Sequence, residues 1–271
     1  MASVASIAQF LDTLAPPPLA ESWDNVGLLV GDGAAEVARV MTCLTITAET
    51  VAEVVEAGAE LVVTHHPLPF RPLQRITADR PEGRYLLDLI STGVAVYSAH
   101  TAFDSAAAGI NQQLATGLGL IEVAPLVPLD KARASAGDGL DSLGAGRHGR
   151  LPAATTLGAL LEQAKKFLDI SAVRYVGNVD ERIERVAVAC GSAGEFLEPA
   201  RQAGCEILVT GEASFHTCLE AEATGVFLVL LGHFASERFA LDALAAMLAK
   251  EFSDLDVWAS RQERDPIRWS D

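Results

Sequence analysis

Short apolar runs alternate along the chain with longer stretches in which apolar residues recur at helical spacing. In the first half this pattern predicts helices near residues 7–14, 48–57, 84–91 and 106–118, and strands at 26–30, up to 44, at 61–64 and at 94–98. In the second half it predicts helices near 157–168, 195–203, 215–223 and 236–252, and strands at 173–176, 186–189, 207–209 and 226–231. Each half therefore has the order α-β-β-α-β-α-β-α, and its strand–helix–strand steps predict parallel pairing through right-handed crossovers.

The two halves also share sequence features in the same order, which indicates an internal duplication. Residues 57–64, AGAELVVT, recur as residues 203–210, AGCEILVT, and a cysteine closes an apolar run shortly before each copy. Downstream of each copy, a Gly-Val pair opens a strand that leads to a histidine followed four residues later by an acid. We therefore predict an α/β fold of duplicated α-β-(βα)3 repeats that form two interlocked α/β domains with mixed, mostly parallel sheets.

The predicted domains follow this repeat. Residues 1–125 form the first α/β repeat, residues 126–149 a linker or loop, and residues 150–271 the second repeat, and the two repeats can intertwine. Residues 132–149 are rich in Ala, Gly, Ser and Asp and lack apolar periodicity, which is typical of a linker or surface loop. A second long loop, residues 67–83, carries four prolines and follows a predicted strand, where inserted loops often shape a site.

Acidic residues outnumber basic ones by 36 to 20, which gives a formal net charge of -16. Nucleic acid is therefore not an expected partner, because its phosphates need a basic surface. The first 38 residues contain no Lys or Arg and so lack the basic start of a secretory signal, and no apolar stretch reaches membrane-spanning length. We expect a cytoplasmic protein that does not bind membranes, with its four cysteines reduced and mostly buried.

Histidines and carboxylates stand at the ends of three predicted strands, where open α/β sheets collect ligands. Six side chains share this position: His65, His66, His100, Asp104, His233 and Glu237. The last four form two His-x-x-x-acid steps, and because positions i and i+4 lie on one side of a helix, one metal ion could contact both members of a step. A single step is equally compatible with a carboxylate that stabilises a helix N-terminus and a histidine that fills a turn.

The adjacent pair His65 and His66 favours a metal site over a purely structural role. Adjacent side chains on an extended strand point to opposite faces, so both serve one site only at a strand end, where Pro67 prevents direct continuation into a helix. Imidazoles and carboxylates without a thiolate suit Zn, Fe, Mn or Ni. We therefore expect two divalent metal ions, one for each of these histidines, with Asp104 and Glu237 bridging the ions or completing their ligands.

Glu212 and His216 lie in the region of the second half that corresponds to the double histidine. They are again four residues apart, which fits groups lining the same cleft and a pair on a helix surface equally well. Arg147 and Arg150 form a small basic island, for which a solvated loop is favoured over an anion site. The G-x-G-x-x-G match at 144–149 has no strand before it and no helix directly after it, so we predict no dinucleotide cofactor.

Five motifs taken together resemble the Nif-three-like family, whose members are often named as homologues of a GTP cyclohydrolase I, type 2. They are ESWDNVGL at 21–28, THHP at 64–67, H-T-x-x-D at 100–104, TGE with FH within 210–216, and GHFxSE at 232–237. The similarity extends from about residue 7 to residue 266, so it covers almost the whole chain. The chain lacks the inserted domain of longer members, and it has Thr45 where the family usually carries an Asp.

The resemblance implies a dinuclear metal site between two α/β halves. By motif match the ligands would be His65, His66, Asp104, His233 and Glu237. His100 would stand beside the ligands as an acid/base or supporting group. The resemblance also implies a ring-shaped homo-oligomer, commonly a hexamer, with the sites facing an interior space.

Two functions of different classes are compatible with the sequence. In the first, the chain is a metal-dependent hydrolase whose ions lower the pKa of a water for attack on a small molecule such as a nucleotide, and His100 or His216 relays protons. In the second, the chain is a non-enzymatic metal-binding regulator or scaffold. The polar residues beyond the implied ligands, His100, His216 and Glu212, favour the hydrolase, and we expect them to have catalytic roles.

Overall fold

The computed structural model describes residues 2–129 and 143–268. Its strands are β1 Ala2–Ser3, β2 Gly27–Val30, β3 Glu36–Val37, β4 Arg39–Cys43, β5 Leu61–Thr64, β6 Ala95–Ser98, β7 Ile121–Ala124, β8 Val127–Pro128, β9 Gly144–Ala145, β10 Arg147–Thr156, β11 Arg174–Val176, β12 Arg182–Ser192, β13 Ile207–Glu212, β14 Phe227–Leu230 and β15 Asp256–Ala259. Its α-helices are α1 Val4–Leu14, α2 Ala48–Ala57, α3 Pro81–Ser91, α4 His100–Ser105, α5 Ile110–Gly117, α6 Leu157–Leu168, α7 Leu197–Gln202, α8 Phe215–Thr224 and α9 His233–Glu251. Within the described residues, none of these helices combines the length and apolarity that a bilayer crossing requires.

The chain divides into two compact units, and the second is inserted into the first. The first unit comprises Met1–Phe103 and Ala240–Asp271, and the second comprises Asp104–Phe239. These units differ from the two predicted halves because the C-terminal strand β15 pairs with β4, far back in the chain. In addition, β7 pairs with β10 and so belongs with the second sheet.

The first unit is built on a five-stranded sheet of order β15-β4-β5-β6-β2. Its first four strands are parallel and β2 is antiparallel at the edge. All four residues of β5 are buried, as expected for an apolar run in the centre of a parallel sheet. Helix α2 begins at a capping box between Thr47 and Thr50 and ends at Gly58, whose φ of 66° suits a helix C-terminus.

The second unit is built on a six-stranded sheet of order β11-β14-β13-β12-β10-β7, in which β12, β13 and β14 are parallel. Core side chains cover both faces of this sheet, as successive residues of β12 show. Val186 and Val188 belong to a core cluster that includes the apolar side of α6, whereas Ala187 and Ala189 belong to a second cluster that includes residues of α7. Side chains that alternate between two cores indicate a sheet covered on both faces.

The predicted α/β class with mixed, partly parallel sheets is confirmed. Each sheet contains three parallel strands that are consecutive in the chain, β4-β5-β6 in the first and β12-β13-β14 in the second. A duplication would explain this common feature. Within each run the strands enter the sheet in the same direction, so their carboxyl ends lie at one edge of each sheet.

The predicted loose stretch at 132–149 is wrong where the structure describes it. Residues 132–142 lie outside the described residues, but β9 and the start of β10 occupy the positions from Gly144 onward. Arg147 is only 1% exposed, and its guanidinium donates hydrogen bonds to the carbonyls of Gly144 and Ala106, both at 2.7 Å. A charged residue can be buried when hydrogen bonds satisfy its donors. Such a residue interrupts the alternation of apolar and polar residues from which a strand is predicted.

The predicted basic island is also wrong for Arg147, which is not on a solvated loop. Burial lowers the pKa of Arg147 to about 10, so the side chain stays charged at neutral pH. Arg150 is partly exposed and pairs with Glu122 at 2.7 Å. The two arginines therefore have different roles, one inside the second unit and one at its surface.

Candidate metal centre

Three histidines converge at the carboxyl ends of β5 and β6 in the first unit. His65 and His66 directly follow β5, and His100 begins α4 after β6. Ligand nitrogens of the three rings lie within 4.8 Å of one another. The ring centroids are 5.2 Å apart for His65 with His66 and with His100, and 5.6 Å apart for His66 with His100. Imidazoles this close are a suitable set of nitrogen donors for a divalent transition metal.

The backbone at the end of β5 fixes the two adjacent histidines. The N–H of His65 donates to the carbonyl of Cys43 at 2.9 Å, and the N–H of His66 donates to the carbonyl of Leu44 at 2.8 Å. The hydroxyl of Ser98 donates to the carbonyl of His65 at 2.7 Å. Neighbouring side chains of a strand point to opposite faces, so the close approach of these two rings depends on the turn of the chain at the strand end.

Thr45 contacts the ring of His66. Its Oγ1 lies 2.7 Å from Nδ1 of His66, and its backbone N–H donates to Oε1 of Glu263 at 2.7 Å. A partner at one ring nitrogen orients the imidazole and assigns metal binding to the other nitrogen. The departure from the family's usual Asp at this position thus retains a polar contact with a candidate ligand.

Asp24 holds the ring of His100. Its Oδ1 lies 2.7 Å from Nδ1 of His100, and its Oδ2 accepts hydrogen bonds from the backbone N–H and the hydroxyl of Thr101. Burial raises the pKa of Asp24, but the hydrogen bonds with His100 and Thr101 outweigh it and lower the pKa from 3.8 to about 2. Asp24 is therefore ionised at neutral pH and fixes His100. The sequence prediction missed this role, although Asp24 lies within the motif at 21–28.

In the second unit, His233 and Glu237 lie one turn apart at the start of α9. Nε2 of His233 is 3.2 Å from Oε2 of Glu237, and its Nδ1 is 3.5 Å from Oε2 of Glu212. The hydrogen bond with Glu237 raises the pKa of His233 from 6.5 to about 9, against the opposing effect of burial. Helix α9 begins at His233, three residues before the predicted start at 236. The hydroxyl of Ser236 accepts a hydrogen bond from the N–H of Gly191 at 3.0 Å.

Gly191, near the end of β12, packs directly against the carboxylate of Glu237. Its φ is 66°, and a Cβ at this position would stand 2.3 Å from Oε1 of Glu237 and 3.6 Å from Nε2 of His233. Glycine adopts this backbone conformation without strain. An added Cβ would require the carboxylate of Glu237 to shift from its position.

Asp104 is held by a network that the sequence did not reveal. Its Oδ1 accepts a hydrogen bond from the thiol of Cys190 at 3.1 Å, and its carbonyl accepts one from the amide of Asn111 at 3.1 Å. The amide oxygen of Asn111 accepts in turn from the N–H of Cys190 at 2.7 Å. Burial, together with the charge of Asp104, raises the pKa of the Cys190 thiol, so this thiol remains a protonated donor.

Glu212 and His216 lie on different elements of the fold. Glu212 ends β13 beside His233, whereas His216 lies in the first turn of α8, exposed, with its ring centroid 6.1 Å from that of Phe215. The alternative of a helix-surface pair is therefore wrong, because only His216 is helical. Glu212 joins the candidate site and His216 lies on the surface.

The donors in both units fit a divalent transition metal. Every candidate ligand is an imidazole nitrogen or a carboxylate oxygen, and the nearby Cys190 is held as a protonated thiol rather than a thiolate ligand. This composition suits Zn, Fe, Mn or Ni and does not select among them.

Comparison with known proteins identifies the family to which the chain belongs. The model of the Duf34/NIF3 (NGG1p interacting factor 3) family matches residues 2–266. A GTP cyclohydrolase 1 type 2 homolog from Clostridium perfringens is 31% identical, with 97% of this chain and 98% of that protein covered. The NIF3 homolog of Schizosaccharomyces pombe is 33% identical, with 97% and 96% covered. Staphylococcus aureus protein SA1388, a solved structure, superposes with a TM-score of 0.88 at 27% identity over 99% of both chains. The chain therefore belongs to the Duf34/NIF3 family.

Proposed function

We propose that the chain is a metal-dependent hydrolase that acts on a nucleotide or a related small molecule. One observation carries the proposal: three candidate histidines each have a side-chain oxygen beside Nδ1. The partners are Thr45 for His66, Asp24 for His100 and Glu212 for His233. An oxygen partner at Nδ1 is the usual arrangement of metal-binding histidines, because it fixes the ring and directs Nε2 to the ion.

The proposed ligands form two sets. His65, His66 and His100 supply imidazole nitrogens from the first unit, and a second set from the second unit consists of Asp104, His233 and Glu237. We propose that both sets serve one pair of divalent ions, since α4 carries His100 and Asp104 at positions i and i+4 of one helix. In this proposal His100 binds an ion and is not only a proton relay beside the ligands.

The residues around the ligands have separate tasks in the proposed reaction. When bound, two divalent ions supply Lewis acidity that brings the pKa of a water close to neutrality. Asp24, ionised at neutral pH, keeps His100 in one orientation, and Glu212 does the same for His233. The thiol of Cys190 holds the carboxylate of Asp104. The names of the relatives support a substrate of the nucleotide class for this chain.

Turnover with defined metals tests the proposal. A panel of nucleotides and phosphoesters is incubated with the wild type, His65→Ala and Glu237→Ala, each reconstituted with Mn, Zn or Fe. We expect the wild type to convert at least one substrate and both variants to lose metal and activity, because each loses a ligand. His216→Ala, which changes an exposed histidine, should retain its metal. If the variants lose metal but no form converts any substrate, the non-enzymatic metal-binding function replaces the hydrolase.

We also propose that the chain assembles into a ring-shaped homo-oligomer, with a hexamer as the expected size. Large apolar side chains on α3 and α8, including Ile90, Phe215 and Leu219, are exposed in the single chain. Exposed apolar groups of this size commonly mark association surfaces. Sedimentation velocity at micromolar concentration should give the mass of a hexamer, and a monomer across the concentration range would contradict the proposal.

A further inference from the structure

We infer that Trp23 and Phe70, which we call the aromatic pair, form a stacking site for a planar heteroaromatic ring that carries an anionic group. The inference deepens the proposed function, on which it rests, by assigning the residues that would recognise a nucleotide. Trp23 is 59% exposed and Phe70 is 40% exposed. Large aromatic side chains are usually buried to a much greater extent, so two exposed neighbours indicate a binding surface.

The aromatic pair lies beside the histidine cluster of the first unit. The two ring centroids are 5.9 Å apart, with an interplanar angle of 69°. Each ring centroid is also 6.0 Å from the ring centroid of His100. A ligand ring that stacks on one member would meet the edge of the other, an arrangement that aromatic groups favour. The substituents of such a ring would then lie close to the proposed metal ligands.

The backbone next to the aromatic pair is fixed before any ligand binds. Asn25 donates a hydrogen bond from its side-chain amide to the carbonyl of Pro69 at 2.7 Å, which ties the loop of Trp23 to the loop of Phe70. Asp24 is held by His100 and Thr101. A surface that is already ordered loses little conformational entropy on binding, so exposed rings in this position are suited to hold a rigid ligand.

A positive charge adjoins the aromatic pair, although the chain as a whole is acidic. The guanidinium carbon of Arg71 is 5.9 Å from the ring centroid of Phe70. Residues 69–80 contain three arginines and one aspartate, whereas the whole chain has a formal net charge of -16. Arginine matches phosphate oxygens through its planar set of donors. The ligand that fits both features is a nucleotide, with its base on the aromatic pair and its phosphate near Arg71.

Calorimetric titration of the full chain tests this site, with and without bound Mn. The probes are GMP, AMP and ribose 5-phosphate, which carries the same anion without a ring. We expect both nucleotides to bind more tightly than ribose 5-phosphate. Trp23→Leu and Phe70→Leu should each weaken GMP binding by about tenfold, in line with the loss of one base-stacking contact. Ribose 5-phosphate binding should be unchanged in both variants, whereas Arg71→Gln should weaken the binding of all three probes.

Three controls separate stacking from damage to the loop or to the metal site. Trp23→Phe keeps a ring and should retain most of the GMP affinity. Tyr175→Leu removes a ring that is 45% exposed on β11 and should leave the GMP affinity unchanged. The metal content of Trp23→Leu should equal that of the wild type, because this residue is not a ligand.

The inference is overturned if the wild type binds GMP no more tightly than ribose 5-phosphate, or if Trp23→Leu and Phe70→Leu bind GMP like the wild type. Because metal content is measured separately, failure of the stacking site is distinct from failure of the proposed function. The proposed function fails when His65→Ala retains its metal or no substrate is converted.

Discussion

Single oxygen atoms lie beside three histidine rings of the candidate metal centre. Thr45, Asp24 and Glu212 each place an oxygen within 3.5 Å of Nδ1 of a candidate ligand. Such contacts select one tautomer and hold the ring in place, so that less entropy is lost when an ion binds. We therefore expect residues that are not candidate ligands to affect how tightly the proposed site binds metal.

Thr45→Val should weaken metal binding by about 10–100-fold, the usual effect of losing a hydrogen bond behind a ligand. Valine keeps the shape of threonine and removes the hydroxyl that lies 2.7 Å from Nδ1 of His66. Competition with a chromophoric chelator measures the affinity. Thr45→Ser, which keeps the hydroxyl, should bind metal like the wild type. Equal affinities for Thr45→Val and the wild type would show that this contact does not orient the ligand.

Gly191→Ala should abolish binding of at least one ion while the protein stays folded. The added Cβ would stand 2.3 Å from Oε1 of Glu237 and would displace the carboxylate. Gly204→Ala is the matched control, because Gly204 has a similar φ of 71° but no atom within 4 Å of the added Cβ. Metal content and thermal unfolding are measured for both variants. If they bind the same amount of metal, the position of Glu237 is not critical.

Among the secondary-structure elements, those that obey a simple periodicity could be predicted from the sequence. Helices α2 and α6 have the predicted bounds, since apolar residues recur at helical spacing after a Thr that caps each N-terminus. Strand β5 has its predicted bounds because it is a short apolar run in the centre of a sheet. Helix α9 begins three residues earlier than predicted, at His233, and the short helix α4, His100–Ser105, was not predicted. Each follows its strand with hardly any connecting loop.

Strand β10 could not be predicted, because a charged residue occupies one of its buried positions. Alternation of apolar and polar residues identifies a strand only when the buried positions are apolar. At Arg147 the buried position holds a guanidinium that is satisfied by carbonyls distant in sequence, including those of Ser105 and Ala106. No local pattern encodes these partners.

Arg147→Met should lower the free energy of unfolding by about 3–5 kcal/mol, because several buried carbonyls lose a charged donor. Arg150→Met is the matched control on the same strand. It breaks a solvent-screened ion pair with Glu122 and should cost much less stability than Arg147→Met. Urea unfolding of both variants gives the comparison. Equal losses of stability would contradict the assignment of Arg147 as a structural residue.

For the molecule as a whole, the sequence could not indicate that the C-terminal strand β15 belongs to the sheet of the first unit. Strand β15 has four residues, and it pairs with β4, more than 200 positions earlier in the chain. Short strands with distant partners carry no local signal of their pairing. The candidate site was more accessible to prediction, because His65, His66, His233 and Glu237 follow strands or begin a helix. Asp24, which holds His100, and Cys190, which holds Asp104, were found only through the contacts of the fold.

The net charge of -16 should make stability depend on salt. Self-repulsion among like charges destabilises the compact state, and raising NaCl from about 10 mM to about 150 mM shortens the Debye length from roughly 30 Å to roughly 8 Å. We expect the urea midpoint of the metal-free protein to rise with salt. Choline chloride should have the same effect if screening is the cause. A midpoint that is constant or falls would show that repulsion is not significant.

The metal content of the reconstituted protein is the decisive measurement for a dinuclear site. The metal-free chain is loaded separately with Mn, Zn or Fe, and bound metal per chain is determined by mass spectrometry after removal of excess ions. If His65, His66, His100, Asp104, His233 and Glu237 form one dinuclear site, the wild type should bind about two ions per chain with at least one of these metals. His65→Ala and Glu237→Ala should each bind fewer. Fewer than one ion per chain in the wild type with every metal would contradict the dinuclear site.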